Sequence, residues 1–346
     1  MRIAVIAPPW VPVPPPRYGG SEGVIDLLAR GFYGAGHDVL LFTTADSTCP
    51  VPKAWALERA EGERIGETMI ELQHAVRAYE RVTGFDIIND HTVAGPLLAP
   101  PGTPVVTTNH GPFTGSSGEV YRAISRRASV VAISHNQAST AVDTAIARVI
   151  HHGVDVDNIR VGDGNGGFAL FLGRMSPDKG VHLAARAARQ AGMPLRIAAK
   201  VRERAEHDYF VDVVKPLLGG DIEYIGEVDW RTKFELLASA TCLLNPITWA
   251  EPFGLVMVEA LACGTPVIAG PIGAATEIID EGVTGYLRSD EDALVNVLGK
   301  VHELDRAACR AVAVARFSAR RMVSEHLELF EDLLSGRVDA VRGGYG

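Results

Sequence analysis

The feature that most constrains this chain is an alternation of short, β-branched apolar runs with helix-like stretches that proceeds to mid-chain, breaks, and starts again. RIAVIA (2–7) and DVLLFTT (38–44) flank GVIDLLARGFYGAG; FDIIND (85–90), PVVTTNH (104–110) and SVVAIS (129–134) follow, and RVIHHGVD closes the first series. After the glycine- and aspartate-rich passage VGDGNGG (161–167) come FALFLG (168–173), PLRIAAK (194–200), DIEYIG (221–226), TCLLNP (241–246) and TPVIAG (265–270). Strand-like runs separated by helical patterns read as β-α units and parallel sheets, and the restart reads as two doubly wound, Rossmann-like α/β domains. Ligands of such sheets bind beyond the carboxyl ends of the strands, so a central cleft is expected between the two domains. The expected domains are 1–160 and 161–318, with 161–167 as a hinge or loop. In 319–346, the amphipathic pattern with Met322, His326, Leu329 and Leu333 on one face predicts a helix packing back on the first domain, followed by a frayed tail, GRVDAVRGGYG.

Composition narrows what such a chain binds. The length of 346 residues suits two domains, and 47% hydrophobic with 22% charged residues excludes a disordered chain. A formal charge of −9 offers no overall field for nucleic acid, so an anionic ligand has to be held by a local cluster of cations. The opening MRIAVIAPPW is a short apolar run broken by prolines, unlike a signal peptide, and no stretch approaches a membrane span; a cytoplasmic location is expected. Cys49, Cys242, Cys263 and Cys309 lack any C-x-x-C spacing and read as buried apolar residues.

Three segments carry chemistry. In EPFGLVMVE, Pro252 suits the first turn of a helix and Gly254 lets backbone approach a ligand, so a helix is expected to start near Phe253. Its free N–H groups would face an anion, Glu251 would stand outside its mouth, and Glu259 would lie one turn below Leu255. The competing reading is an ordinary helix with one carboxylate at its start and one on its solvated side. In FLGRMSPDKG, Arg174 and Lys179 straddle a turn after a strong strand, a fork and a point charge suited to a diphosphate; otherwise they are solvated surface charges. In PPPRYGGSEG, Gly19 and Gly20 occupy the first β-α turn, where small residues admit a phosphate or sugar, though a glycine-rich turn needs no ligand.

Taken in order, PPPRYGGSEG, NHGPF, VIHHGVD, LGRMSPDKG and WAEPFGLVMVEALACGTPVIA resemble the retaining nucleotide-sugar glycosyltransferases of family 4, of the glycosyl transferases group 1 type, with the two-domain GT-B fold. The resemblance implies that Arg174 and Lys179 hold the donor diphosphate, Glu259 the ribose hydroxyls and Glu251 hydroxyls of the transferred sugar. It further implies that backbone groups of Phe253, Gly254 and Leu255 touch sugar and phosphate, that Gly20 lines the acceptor side, and that His110 stands near the donor sugar. A histidine after a strand is also commonly a cap or a core residue. Lys200, in IAAKV where many relatives have a glycine-rich turn beside the base, is expected as an extra donor contact. His152 stands where asparagine is common, and the neighbouring pair His151 and His152 reads as structural, since adjacent residues on a strand face opposite ways.

The expected activity is transfer of a sugar from a nucleoside diphosphate sugar to the hydroxyl of a small-molecule or glycan acceptor, with retained configuration and no cofactor. No D-x-D motif sits at a strand end, and the cations answer the leaving-group charge, so no metal is expected. The rival readings are a GT-B nucleotide-sugar epimerase or hydrolase and a non-catalytic nucleotide-sugar binding protein.

Overall fold

The computed structural model describes residues 1–17 and 19–337; Tyr18 and residues 338–346, most of the tail expected to fray, lie outside the described residues. The chain forms two units, Met1–Gly153 with Ala319–Gly346, and Val154–Ser318. Among the described residues, the first holds β1 (Arg2–Ile6), β2 (Asp38–Thr43), β3 (Lys53–Trp55), β4 (Ile87–Asp90), β5 (Val105–Thr108), β6 (Ser129–Ala132) and β7 (Ile146–Val149) in one parallel sheet, ordered β3-β2-β1-β4-β5-β6-β7. Its helices are α1 (Gly20–Gly34), α2 (Thr68–Arg81), α3 (Gly115–Ile124) and α4 (His135–Ser139).

The second unit repeats the plan with β8 (Ala169–Arg174), β9 (Leu195–Lys200), β10 (Ile222–Gly226), β11 (Cys242–Asn245), β12 (Val267–Ala269) and β13 (Gly285–Leu287), ordered β10-β9-β8-β11-β12-β13. Its helices are α5 (Val181–Gln190), α6 (Arg204–Tyr209), α7 (Trp230–Ser239), α8 (Leu255–Ala262), α9 (Ala275–Ile278), α10 (Glu291–Leu298) and α11 (Arg306–Phe317). The chain then returns to the first unit as α12 (Ala319–Leu334).

The apolar runs are legible because the central strands are covered on both faces: Ile3 to Ile6 are completely buried, as are Leu243 and Leu244. Three-residue β3 and β13, at sheet edges and partly exposed, carry no such run and were not foreseen. Strand order reverses between β1 and β4 and again between β8 and β11, and the crevice beyond the carboxyl ends at such a reversal is where these sheets take ligands.

The boundary falls at Gly153/Val154 instead of 160/161. Val154 bridges Ser318 and donates its N–H to the Phe317 carbonyl at 2.9 Å, so the outgoing and returning segments are zipped together where the second unit begins. The passage 161–167, expected as a hinge or loop, is a loop within the second unit. Gly162, Gly164 and Gly166 donate to the carbonyls of Cys263, Ala238 and Ser239 at 3.0, 3.2 and 2.9 Å, and the Arg306 guanidinium donates to the carbonyls of Gly162, Ala238 and Ala240. A loop whose backbone groups are satisfied this way opens reluctantly.

Helix α12 buries Met322, His326, Leu329, Phe330 and Leu333; Phe330 meets Phe32 of α1 with ring centroids 5.3 Å apart, and Arg148 donates to Asp332 at 2.8 Å. The four cysteines are free and buried, their thiols pushed up to about 12 by burial. Among the described residues, no helix is long and apolar enough to cross a membrane.

Candidate active site

In the second unit the two strands flanking the order reversal, β8 and β11, send their loops into one another. Gly180 sits in the left-handed region at φ 72°, and a Cβ there would stand 2.1 Å from the Pro246 carbonyl oxygen, so only glycine lets the loop after β8 press on the loop after β11. Thr248 seals the junction by donating its N–H to the Asp178 carbonyl at 2.9 Å. This brings Lys179 and Glu251 together: the ammonium donates to Glu251 Oε1, both side chains being nearly buried at 10% and 13% exposure, and lies 5.6 Å from the centre of the Trp249 ring. Arg174 ends β8 and is paired in register with Lys200, which ends β9; the Arg174 guanidinium donates to Asp178 at 3.2 Å. The expected solvated-charge alternative does not describe Lys179.

Helix α8 begins at Leu255, two residues later than expected, because Gly254 is its N-cap at φ 91°, a conformation that cannot continue the helix; Pro252 and Phe253 precede the first turn. No side chain caps it, so the N–H groups of its first turn are available to an anion. The Phe253 ring is buried against Phe317, leaving only its backbone to meet a ligand. Glu251 stands at the helix mouth: a Cβ on Gly254 would come within 3.5 Å of its Oε2, and that oxygen is buried without a hydrogen-bond partner. Such an oxygen is costly unless a ligand hydroxyl or a water answers it.

Glu259 is not on a solvated face. It is mostly buried and accepts from Lys233 of α7 at 2.5 Å. Lys200, 10% exposed, lies 3.4 Å from Glu203 and 3.5 Å from Glu206. Each of these cations is thus matched by a carboxylate of the same unit. The pairing offsets the cost of holding bare charges away from water and leaves them exchangeable for the charges and hydroxyls of a ligand.

Gly20 and His110 belong to the first unit. Gly20 opens α1, whose N-terminus also lacks a side-chain cap, while Glu22 in its first turn is buried and its carboxyl is pushed up to about 7 by that burial. His110 follows β5 and is partly exposed; its Nε2 lies 2.9 Å from His91 Nδ1 and its Nδ1 3.2 Å from His152 Nε2. Burial, then the nearby His326, holds its imidazole down at about 4. His151 turns the other way, its ring edge-on to His135 with centroids 5.7 Å apart, so the two adjacent histidines do serve different neighbours.

Sequence reasoning missed Lys233, Glu22 and His91. Lys233 sits inside an unremarkable helical stretch, and nothing in WRTKFELLAS marks it. His91, directly after the buried strand in FDIINDH, carried the same signal that singled out His110 after PVVTTN.

Two family models divide the chain: Glycosyl transferases group 1 matches residues 159–315, and Glycosyltransferase Family 4 matches residues 18–158. The phosphatidyl-myo-inositol mannosyltransferase of Mycolicibacterium smegmatis is 28% identical over 92% of this chain and 89% of that protein. The glycogen synthase of Mycobacterium tuberculosis is 27% identical over 91% of this chain and 89% of its own. Among solved structures, AviGT4, a glycosyltransferase involved in avilamycin A biosynthesis, superposes with a TM-score of 0.74 at 26% identity over 97% of this chain and 98% of that one. HepE from Anabaena, solved in complex with UDP-glucose, gives a TM-score of 0.76 at 19% identity over 96% of this chain and all 100% of that one. With both halves matched and two parallel-sheet α/β domains in place, the chain belongs to the family 4 glycosyltransferases of the GT-B fold.

Proposed function

We propose that the protein moves a sugar from a nucleoside diphosphate sugar to an acceptor hydroxyl, retaining the anomeric configuration and using no divalent metal. The observation that carries this reading is the pre-paired cationic edge of the second unit, Lys179 and Arg174 beside the uncapped start of α8, at the strand-order reversal. As the sugar–phosphate bond breaks, negative charge grows on the diphosphate, and these donors, re-paired from their carboxylates to the bound diphosphate, stabilise it. That is the charge a metal would otherwise neutralise. Glu259 takes the ribose hydroxyls, exchanging Lys233 for them, and the vacant Oε2 of Glu251 takes a hydroxyl of the transferred sugar, with backbone of Phe253, Gly254 and Leu255 alongside. Lys200 contacts the donor, Gly20 lines the acceptor side and His110 meets the donor sugar. The departing phosphate helps to deprotonate the acceptor on the face it leaves, which retains configuration.

The complex of HepE with UDP-glucose supports a nucleotide-sugar donor. The mycobacterial relatives are named for phosphatidyl-myo-inositol and for glycogen, and what they share, sugar delivered to a hydroxyl, is what we carry over. The test is incubation with UDP-, GDP-, ADP- and dTDP-sugars, with and without a panel of hydroxyl acceptors, in excess EDTA, reading nucleotide release and the anomeric coupling of the product by NMR. Release only with acceptor, indifferent to chelator and giving the donor's anomer, is expected. Conversion without acceptor would make the protein an epimerase or hydrolase, and binding without turnover a binding protein. Activity lost in EDTA and restored by Mg2+ would remove the metal-free scheme, and an inverted product would remove retention.

A further inference from the structure

Three imidazoles in the first unit form a single line. His91 Nδ1 lies 2.9 Å from His110 Nε2, and His110 Nδ1 lies 3.2 Å from His152 Nε2. The three residues stand after the carboxyl ends of β4, β5 and β7, and β4 borders the order reversal of this sheet. His91 and His152 are each 4% exposed. The titratable and charged groups that bear on them from α12 are His326 and Arg321, both of which oppose a further positive charge; burial acts in the same direction and more strongly. All three rings are therefore neutral near pH 7, and each carries one N–H.

Neutrality makes the line directional. A neutral imidazole donates from one nitrogen and accepts at the other. Both nitrogens of His110 are engaged, so only two proton arrangements satisfy both bonds: all three rings protonated on Nδ1, or all three on Nε2. One ring cannot change alone without setting two N–H groups, or two lone pairs, against each other. The free end chooses between them. His91 Nε2 is buried without a partner, and a buried orphan N–H is rarer than an orphan acceptor, so the Nδ1-protonated arrangement is favoured. The residue before His91 is firmly held: the Asp90 side chain accepts from the backbone and side chain of Thr92, each at 2.8 Å, and from Tyr79 at 2.9 Å.

We propose that His91 and His152 are positioning residues that lock His110 as a neutral imidazole in one orientation and one tautomer, Nδ1-protonated. The purpose of that lock rests on the reading that His110 meets the donor sugar; the chain itself does not. Turning the His110 ring breaks two hydrogen bonds, so a sugar arriving at its partly exposed edge meets a fixed surface.

The test joins a spectroscopic and a kinetic arm on the full-length protein. In 15N-histidine-labelled protein at pH 7, the His110 ring is expected to show one tautomer with Nδ1 protonated, and His91 the same. His91→Phe should give His110 a mixture of tautomers, and His91→Phe and His152→Leu should each lower kcat roughly ten- to a hundredfold while leaving nucleoside diphosphate affinity unchanged. His152→Asn, whose amide both donates and accepts, should recover most of the His152→Leu loss. A wild-type spectrum with His110 cationic or in mixed tautomers would overturn the chain. Full kcat in both His91→Phe and His152→Leu would overturn the positioning role. Full activity of His110→Ala would instead overturn the placement of His110 beside the sugar, and with it the purpose of the lock, while the single-tautomer spectrum stood.

Discussion

The two units share a topology and bury polar groups in opposite ways. The second buries charge as pairs: Lys179 with Glu251, Lys233 with Glu259, Lys200 with Glu206. The first has one such buried carboxylate, Asp26 held by Arg30, and otherwise gathers buried or half-buried groups whose neutral form burial favours. Its His74, His110 and His326 are held down at about 4 and its Glu22 and Asp90 are pushed up to about 7, burial being the largest cause in every case. A parallel sheet tolerates either solution at its carboxyl edge. The difference shows which edge is prepared for a charged ligand: paired charges can be re-paired by a diphosphate, whereas neutral groups can offer hydrogen bonds only. This contrast is the physical ground for placing the proposed diphosphate site on the second unit.

The largest effect should come from splitting a pair. Lys179→Ala removes a donor to the developing anion, and turnover is expected to fall about a hundredfold or more. It also leaves the Glu251 carboxylate buried without its counter-ion, which costs about 3–5 kcal/mol of stability. The double variant Lys179→Met, Glu251→Gln should regain most of that stability and none of the activity. The matching deletion in the first unit, Tyr79→Phe, removes a hydrogen bond to Asp90 and should cost only about 1 kcal/mol. Denaturant unfolding of all three variants checks the contrast; equal losses for Lys179→Ala and Tyr79→Phe would erase it.

Acid should separate the units next. Histidines with an ordinary value of 6.5 held near 4 in the fold favour their neutral form, so the stability they contribute is present above 6.5 and is lost as pH falls toward 4. Glu22 and Asp90 have the opposite sign: raised to about 7, they contribute stability at low pH that is lost as pH rises toward 7. His91 and His152 are also lowered, so the buried histidines outnumber the carboxyls and the first unit loses stability on acidification. Each net proton taken up on unfolding steepens the loss by about 1.4 kcal/mol per pH unit. In the second unit His182 is displaced downward, chiefly by burial, and it is only partly buried. Peptide-resolved hydrogen exchange from pH 7.5 to 4.5, corrected for intrinsic rates, should show the first unit losing protection while the second holds. Simultaneous loss in both would mean that this titration does not govern them separately.

The sequence made the fold readable wherever strands were buried on both faces, since RIAVI and CLLN are continuous apolar runs. It failed where structure comes from neighbours. The edge strands β3 and β13 have no run of their own, and the glycine passage looks flexible until Arg306, far along the chain, supplies the groups that tie it down. At the site, GRMSPDKG and EPFG announced their residues through glycine, proline and charge. Lys233 and the histidine partners could not be announced this way, because a salt bridge between two helices and a bond between two strand ends leave no local pattern.

The smallest expected effect is also the finest division of labour, that between Glu251 and Glu259. Both are paired to lysine, but Glu259 lies a full helical turn inside α8 while Glu251 stands at its mouth with an oxygen unclaimed. Ribose is present in the donor and in the released nucleotide, so Glu259→Gln should weaken binding of both about tenfold, the scale of one hydrogen bond to a charged group. The transferred sugar is absent from the nucleotide product. Glu251→Gln should therefore leave nucleoside diphosphate affinity within a few-fold of wild type, or raise it by freeing Lys179, while turnover falls about tenfold because the contact is felt along the reaction path. Calorimetry with the nucleoside diphosphate and with the intact donor distinguishes the two. Should Glu251→Gln abolish binding of the sugar-free nucleotide while Glu259→Gln spares it, the roles are exchanged, and the sugar lies deeper along α8 than the nucleoside.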